Sequence, residues 1–168
     1  LFKFDLKYFR PLGNPHKFID GLIQHFSRLK DEDVSPNEYL DWVKSEILNP
    51  KSEKEEAEKY LELANAYKVY EELKIKEGMM DFSNLISLVL KLFRERSNIL
   101  SQYQKQFKYF LVDEFQDTNY SQYELIKLLA PPKKKPNLTV VGDDSQSIYK
   151  FRGAAISNIL AFMDDYPK

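Results

Sequence analysis

The residues best suited to chemistry lie in two short segments near the end of the chain. Asp113 and Glu114 directly follow the apolar run 109–112, and a second set of polar residues begins at Asp143. A carboxylate at a strand end can orient Mg²⁺ over nucleotide phosphates, and an adjacent carboxylate can accept a proton from the attacking water. A lone Asp-Glu pair would more simply be a solvated turn. The polar continuation through residue 119 and the second strand end favour a nucleotide site.

Aromatic and basic residues alternate directly after the second of these strand ends. Tyr149 and Phe151 are interleaved with Lys150 and Arg152. Rings that stack on bases and cations that contact phosphates are what single-stranded nucleic acid requires. Burial of the two rings in the core or in an interface would explain the same spacing. Both interpretations stay open from the spacing alone.

A parallel sheet is needed to bring the two polar segments together. The continuous apolar run 109–112 predicts a strand covered on both faces, and residues 138–141 predict a second buried strand, with a helix over 122–130 between them. A loop of this length after the helix predicts a right-handed parallel crossover. In such sheets ligands bind at the carboxyl ends of the strands, where the polar segments would meet. A last helix is expected from about residue 155 to 164.

The first half of the chain is expected to be helical and polar. Residues 35–38, SPNE, have the pattern of a helix start, with Ser35 as N-cap and Glu38 reaching back to it. Residues 52–55, SEKE, repeat that pattern before a long helix, which Gly78 would end. A helix before the first of these would bury the apolar residues that recur at helical spacing, namely Phe18, Leu22, Phe26 and Leu29.

The sequence pattern changes at residue 79, and this change predicts that a second structural region begins there. Asp81 is placed to cap a further helix, and another short helix is expected from about 98 to 106. The face that the first of these helices would bury is predicted from its spacing to include Leu85, Leu88, Val89 and Leu92.

Composition narrows the classes of protein that this chain can represent. Its 168 residues are 43% hydrophobic, with a net charge of -1, so it can bury a core and is not strongly basic. The absence of cysteine excludes disulfides and thiolate metal sites and predicts a reducing cytoplasm. No apolar run approaches membrane-spanning length. The chain begins with Leu1 rather than methionine, and we expect it to be a segment of a longer protein.

A glycine-rich phosphate loop is absent from the 168 residues. The sequence contains no Gly-x-x-x-x-Gly-Lys-Ser/Thr, so the backbone cradle and lysine that such a loop supplies are missing. Positioning and charge neutralisation provide nearly all of phosphoryl-transfer catalysis. We therefore expect the chain by itself to be inactive toward ATP.

The polar segments also resemble a known family. Residues 112–119, VDEFQDTN, resemble motif II of the UvrD/Rep/PcrA helicases of superfamily one, and residues 140–154 resemble their motif III. Residues 80–85 are similar to the segment that re-enters the first RecA-like domain of those enzymes after a helical insertion. The resemblance implies an α/β fold with a partial RecA-like parallel sheet that lacks its phosphate loop. Residues 1–78 would be the all-helical insertion subdomain, and 79–168 the partial ATPase domain.

The resemblance also implies roles by position. Asp113 would hold Mg²⁺ and Glu114 would activate water, while Gln146 would sense the γ-phosphate of ATP. Arg152 would link the DNA side to the catalytic carboxylates. DNA would be bordered by Tyr149, Phe151 and Arg152. Ser145 stands where an acid is common in the family.

The function that these features imply belongs to a longer protein. It would be an ATP-dependent DNA helicase or translocase that binds ATP and Mg²⁺, moves on single-stranded DNA and unwinds duplex DNA. Its partners would be DNA and the remaining helicase domains, with no membrane. The alternative is a non-catalytic module that keeps the helicase fold and binds DNA or protein. An intact phosphate loop shortly before Leu1 in the parent protein would favour the enzyme.

Overall fold

The computed structural model describes residues 6–9, 13, 15–49, 53–143 and 156–167, and these form seven α-helices and two short strands. By their contacts they divide into two compact units, the first comprising Leu1–Leu29 and Val34–Asp81, and the second Lys30–Asp33 and Phe82–Lys168. The elements in chain order are α1 (Pro15–Asp31), α2 (Pro36–Leu48), α3 (Lys54–Lys76), α4 (Phe82–Glu95), α5 (Ser97–Gln106), β1 (Phe110–Val112), α6 (Tyr120–Leu129), β2 (Leu138–Val140) and α7 (Ile156–Asp165).

The first unit is helical and is held together by an aromatic core. The ring of Phe26 stacks on that of Tyr67 with centroids 5.0 Å apart, and the Tyr67 hydroxyl donates to the carbonyl of Val34 at 3.2 Å. The predicted apolar face of α1 is confirmed, because Leu22 and Phe26 are buried and their helical neighbours pack against the same cluster. The buried members of that cluster are Leu22, Phe26, Tyr39, Val43, Ala64, Ala66 and Tyr67.

The helix boundaries of this unit follow local chemistry. The capping box before α2 is confirmed: the backbone N–H of Glu38 donates to Ser35 Oγ, and that of Ser35 donates to the Glu38 carboxylate. Gly78 follows α3 with a φ of 65°, as expected for a helix-ending glycine. Ser52, on which the predicted box before α3 depends, lies outside the described residues. The N-cap of α3 is Glu53, which makes no side-chain capping bond.

In the second unit α4 packs against α5 and α6, and two strands form a parallel sheet. The predicted buried face of α4 is largely wrong: Leu85, Leu88 and Leu92 are exposed, whereas Leu90 and Phe93 are buried. The helix carries apolar residues on more than one face. Periodicity therefore cannot decide which face its neighbours cover.

The sheet has the predicted parallel order, with Phe110 paired to Leu138 and Val112 to Val140. The prediction that the first strand is covered on both faces is wrong for the part of the chain that the structure describes. Leu111 is 81% exposed, so only one face of β1 packs against described residues. None of the described helices is long and apolar enough to cross a membrane.

Candidate functional site at the strand ends

The chain reverses sharply where β1 ends. Asp113 and Glu114 are both exposed, and Glu114 adopts the left-handed conformation with φ 51° and ψ 41°. Only a few per cent of residues other than glycine take a positive φ, so this turn is held by its surroundings rather than by preference. The Glu114 N–H donates to Oδ1 of Asp113 at 2.9 Å. The turn therefore presents two adjacent carboxylates at the carboxyl end of a strand.

Phe115 holds this turn against the rest of the second unit. Its side chain is 3% exposed and makes edge-on ring contacts with Tyr123 of α6 and Phe162 of α7. Its backbone N–H donates to the carbonyl of Val141 at 2.9 Å, and the Val141 N–H donates to the carbonyl of Val112 at 2.8 Å. The two strand ends are thus hydrogen-bonded to each other on either side of the carboxylates.

Gln116 joins the two strand ends through its side chain. It is 2% exposed; its Nε2 donates to Oε2 of Glu114 at 2.6 Å, and its Oε1 accepts the N–H of Asp143 at 3.0 Å. In the sequence, Gln116 is distinguished only as one member of the polar run that follows the first strand. Its role depends on the left-handed conformation of Glu114, because this conformation places the side chains of residues 114 and 116 within hydrogen-bond distance. No sequence pattern predicts that conformation for a glutamate.

The rest of the polar run is fixed by three elements. Asn119 caps α6, with its side chain accepting the N–H of Gln122, and its Nδ2 donates to Oδ1 of Asp31 at 2.8 Å. Asn158 of α7 donates to the carbonyls of Thr118 at 3.0 Å and Asn119 at 3.1 Å. These contacts come from residues 88 and 39 positions away from Asn119, so spacing within the motif could not reveal them.

The carboxyl of Asp31 has a raised pKa. Burial, assisted by repulsion from Glu32, raises the pKa of its carboxyl to about 6, while the hydrogen bond from Asn119 partly opposes that shift. Asp31 lies at the end of α1 and has no position in either polar segment. It supports the capping residue of α6 rather than facing the strand ends.

The described residues contain no group of three or more histidine, aspartate or glutamate side chains that could enclose a metal ion. Mg²⁺ in nucleotide sites is commonly held by one or two carboxylates, with phosphate and water completing its shell. An exposed Asp113 at a strand end fits that mode. Among the residues that the structure describes, Oδ1 of Asp117 is buried and accepts no hydrogen bond.

The predicted site residues divide into two groups. Asp113 and Glu114 lie at the end of β1, adjacent to the described beginning of the second segment at Gly142 and Asp143. The others lie outside the described residues, so their roles stay predictions. They are Gln146, Tyr149, Phe151 and Arg152.

Comparison with known proteins decides the family. The model of the UvrD/REP helicase N-terminal domain matches residues 4–167. This chain belongs to the UvrD/REP helicase family. The match covers both polar segments and the helical first half, so the resemblance predicted from the motifs is confirmed.

Curated relatives agree with this assignment. The chain is 44% identical over 128 residues to the ATP-dependent DNA helicase PcrA of Staphylococcus epidermidis strain RP62A, and equally so to that of Staphylococcus aureus strain Mu50. Each alignment covers 75% of this chain and 17% of the relative. The chain thus spans about a sixth of the length of the helicases that it matches.

Proposed function

We propose that this chain is the part of an ATP-dependent DNA helicase that carries the water-activating carboxylate and joins it to the DNA-binding segment. The observation that carries the proposal is the turn at the end of β1, which presents Asp113 and Glu114 side by side. Its family membership and the naming of its relatives as ATP-dependent DNA helicases support the reaction. ATP hydrolysis would drive movement along single-stranded DNA and unwinding of duplex DNA.

The two carboxylates would divide the chemistry between them. Asp113 would hold Mg²⁺, which supplies charge neutralisation for the phosphates of ATP. Glu114 would accept the proton of the attacking water, since it is exposed at the carboxyl end of β1. Gln146 would sense the γ-phosphate.

The DNA side of the proposal rests on the segment that follows. Tyr149 and Phe151 would stack on bases, and Arg152 would link that surface to the carboxylates. The helical residues 1–78 would form an insertion subdomain and 79–168 a partial RecA-like domain. The exposed apolar face around Leu111 is what a sheet completed by further parts of the longer protein would present. Those parts would supply the phosphate loop.

The substitution Glu114→Gln in the full-length protein tests the catalytic assignment. It keeps the side-chain size but removes the base, and general bases contribute about 10²–10⁴-fold to rate. We expect DNA-stimulated ATP turnover to fall by at least about 100-fold, with nucleotide binding kept. Steady-state ATPase assays and equilibrium binding of a fluorescent ATP analogue would measure the two effects.

Glu72→Gln is the matched control, because Glu72 is an exposed glutamate of α3. It should leave turnover at the wild-type level. Near-normal turnover in Glu114→Gln would contradict the role of Glu114. A full-length wild-type protein that binds DNA but shows no ATPase activity would instead support the non-catalytic alternative.

A further inference from the structure

Gln116 is buried, although it belongs to a polar turn at the end of a strand, where exposed side chains are expected. Its neighbours Glu114 and Asp143 are exposed, yet its own side chain is 2% exposed and bonded to both. Buried amides are kept only where their hydrogen bonds are satisfied. The 2.6 Å bond to the Glu114 carboxylate is charge-assisted, the stronger class of hydrogen bond.

Glutamine is the residue type that this bridge requires. One end of the bridge must donate to a carboxylate and the other must accept a backbone N–H, and a side-chain amide offers both. An ionised glutamate could accept from Asp143 but could not donate to Glu114. Methionine has a similar length but can replace neither bond at comparable strength.

Gly142 provides the space for the amide. A Cβ atom at this position would lie 2.7 Å from Oε1 of Gln116 and 3.2 Å from its backbone nitrogen. Any larger residue at 142 would therefore push the amide away from the Asp143 N–H. Gly142 and Gln116 therefore act together, because the backbone at the end of β2 sets the position of the Gln116 side chain on the turn after β1.

We propose that Gln116 is a positioning residue, which holds the Glu114 carboxylate in a fixed place relative to the backbone at Gly142 and Asp143. This inference rests on the proposed function, in which Glu114 is the base. One carboxylate oxygen is tied to the buried amide, so the orientation of the other toward the attacking water is fixed before ATP binds. In this role Gln116 would act through Glu114 rather than by contacting substrate or metal.

The substitution Gln116→Met in the full-length protein tests the positioning role. It loses both bonds while keeping a side chain of similar length. A misplacement of a catalytic group by about 1 Å can cost about 100-fold in rate, so we expect kcat to fall by about ten- to hundredfold with the KM for ATP unchanged. Steady-state ATPase assays with saturating single-stranded DNA would measure both parameters.

Gln104→Met is the matched control. The Gln104 side chain also makes two hydrogen bonds, to the carbonyl of Leu128 and from Lys134, but it lies on α5 away from the strand ends. It should leave kcat unchanged. A Gln116→Met variant no slower than the control would overturn the inference.

A further variant covers the case in which Gln116→Met fails to fold. Gly142→Ala leaves residue 116 intact and displaces its amide, so it should reproduce the loss of kcat; unchanged kcat in this variant would also overturn the inference. Combining Gln116→Met with Glu114→Gln should cost no more than Glu114→Gln alone, because both act through one group. A wild-type protein without ATPase activity, or an active Glu114→Gln, would refute the proposed function itself rather than this coupling.

Discussion

Asp31 shows how one half-buried carboxyl can make the second unit sensitive to pH. The pKa of Asp31 is about 6 in the folded chain, above its ordinary value of 3.8, mainly because the side chain is partly buried. The folded state therefore binds this proton more tightly than the unfolded state does. Its contribution to stability is fully present below about pH 4 and is lost as the pH rises through about 6.

We expect Asp31→Asn to stabilise the chain at pH 8 and to have little effect near pH 4. The amide oxygen can still accept the N–H of Asn119, while the charge that burial disfavours is removed. Urea unfolding at several pH values would measure the free-energy difference. Asp20→Asn, on an exposed carboxylate of the same helix, should show no such trend, and an advantage independent of pH would contradict the explanation.

At the scale of elements, α7 holds the turn that carries the candidate carboxylates. Asn158 is 2% exposed and donates to two successive carbonyls just before α6 begins. Phe162 of the same helix contacts Phe115. The position of the turn therefore depends on a helix that begins 42 residues after Glu114.

Asn158→Leu should destabilise the second unit by roughly 1–3 kcal/mol, because buried carbonyls would lose their donor. Leucine has a similar volume, so the loss reports the hydrogen bonds more than packing. Ser157→Ala, at the exposed neighbouring residue, should change the free energy of unfolding by no more than about 0.5 kcal/mol. Equal effects of the two substitutions in urea titrations would argue against the anchoring role.

At the scale of the whole molecule, the chain carries only a part of the proposed nucleotide site. It carries two carboxylates at a strand end, but its 168 residues contain no phosphate loop. Backbone N–H groups and a lysine in such loops supply most of the contacts to the phosphates. By itself, the chain thus contributes only the two carboxylates of the proposed site, which would act on Mg²⁺ and on the attacking water.

Isothermal titration of this chain with ATP and Mg²⁺ should therefore show weak binding or none. The full-length protein, titrated under the same conditions, should bind ATP measurably because it would include the phosphate cradle. Micromolar affinity in the chain alone would contradict the view that the phosphate loop supplies most of the binding.

The sequence by itself determined the features that depend on neighbouring residues. Ser35 and Glu38 specify the start of α2, the apolar runs specify two parallel strands, and the acids at 113 and 114 mark the end of the first. These follow from capping, periodicity and chain direction, which act over a few positions. Family membership also followed, because its motifs are contiguous.

Only the tertiary structure decided which faces are covered and which side chains meet. Leu90 is buried and Leu88 is exposed, and Phe93, the other buried apolar residue of α4, contacts the ring of Tyr103 of α5. Gln116 reaches Asp143 because Glu114 is held in a left-handed turn and Gly142 leaves room. Such outcomes depend on contacts between residues far apart in sequence, and local propensity carries no information about them.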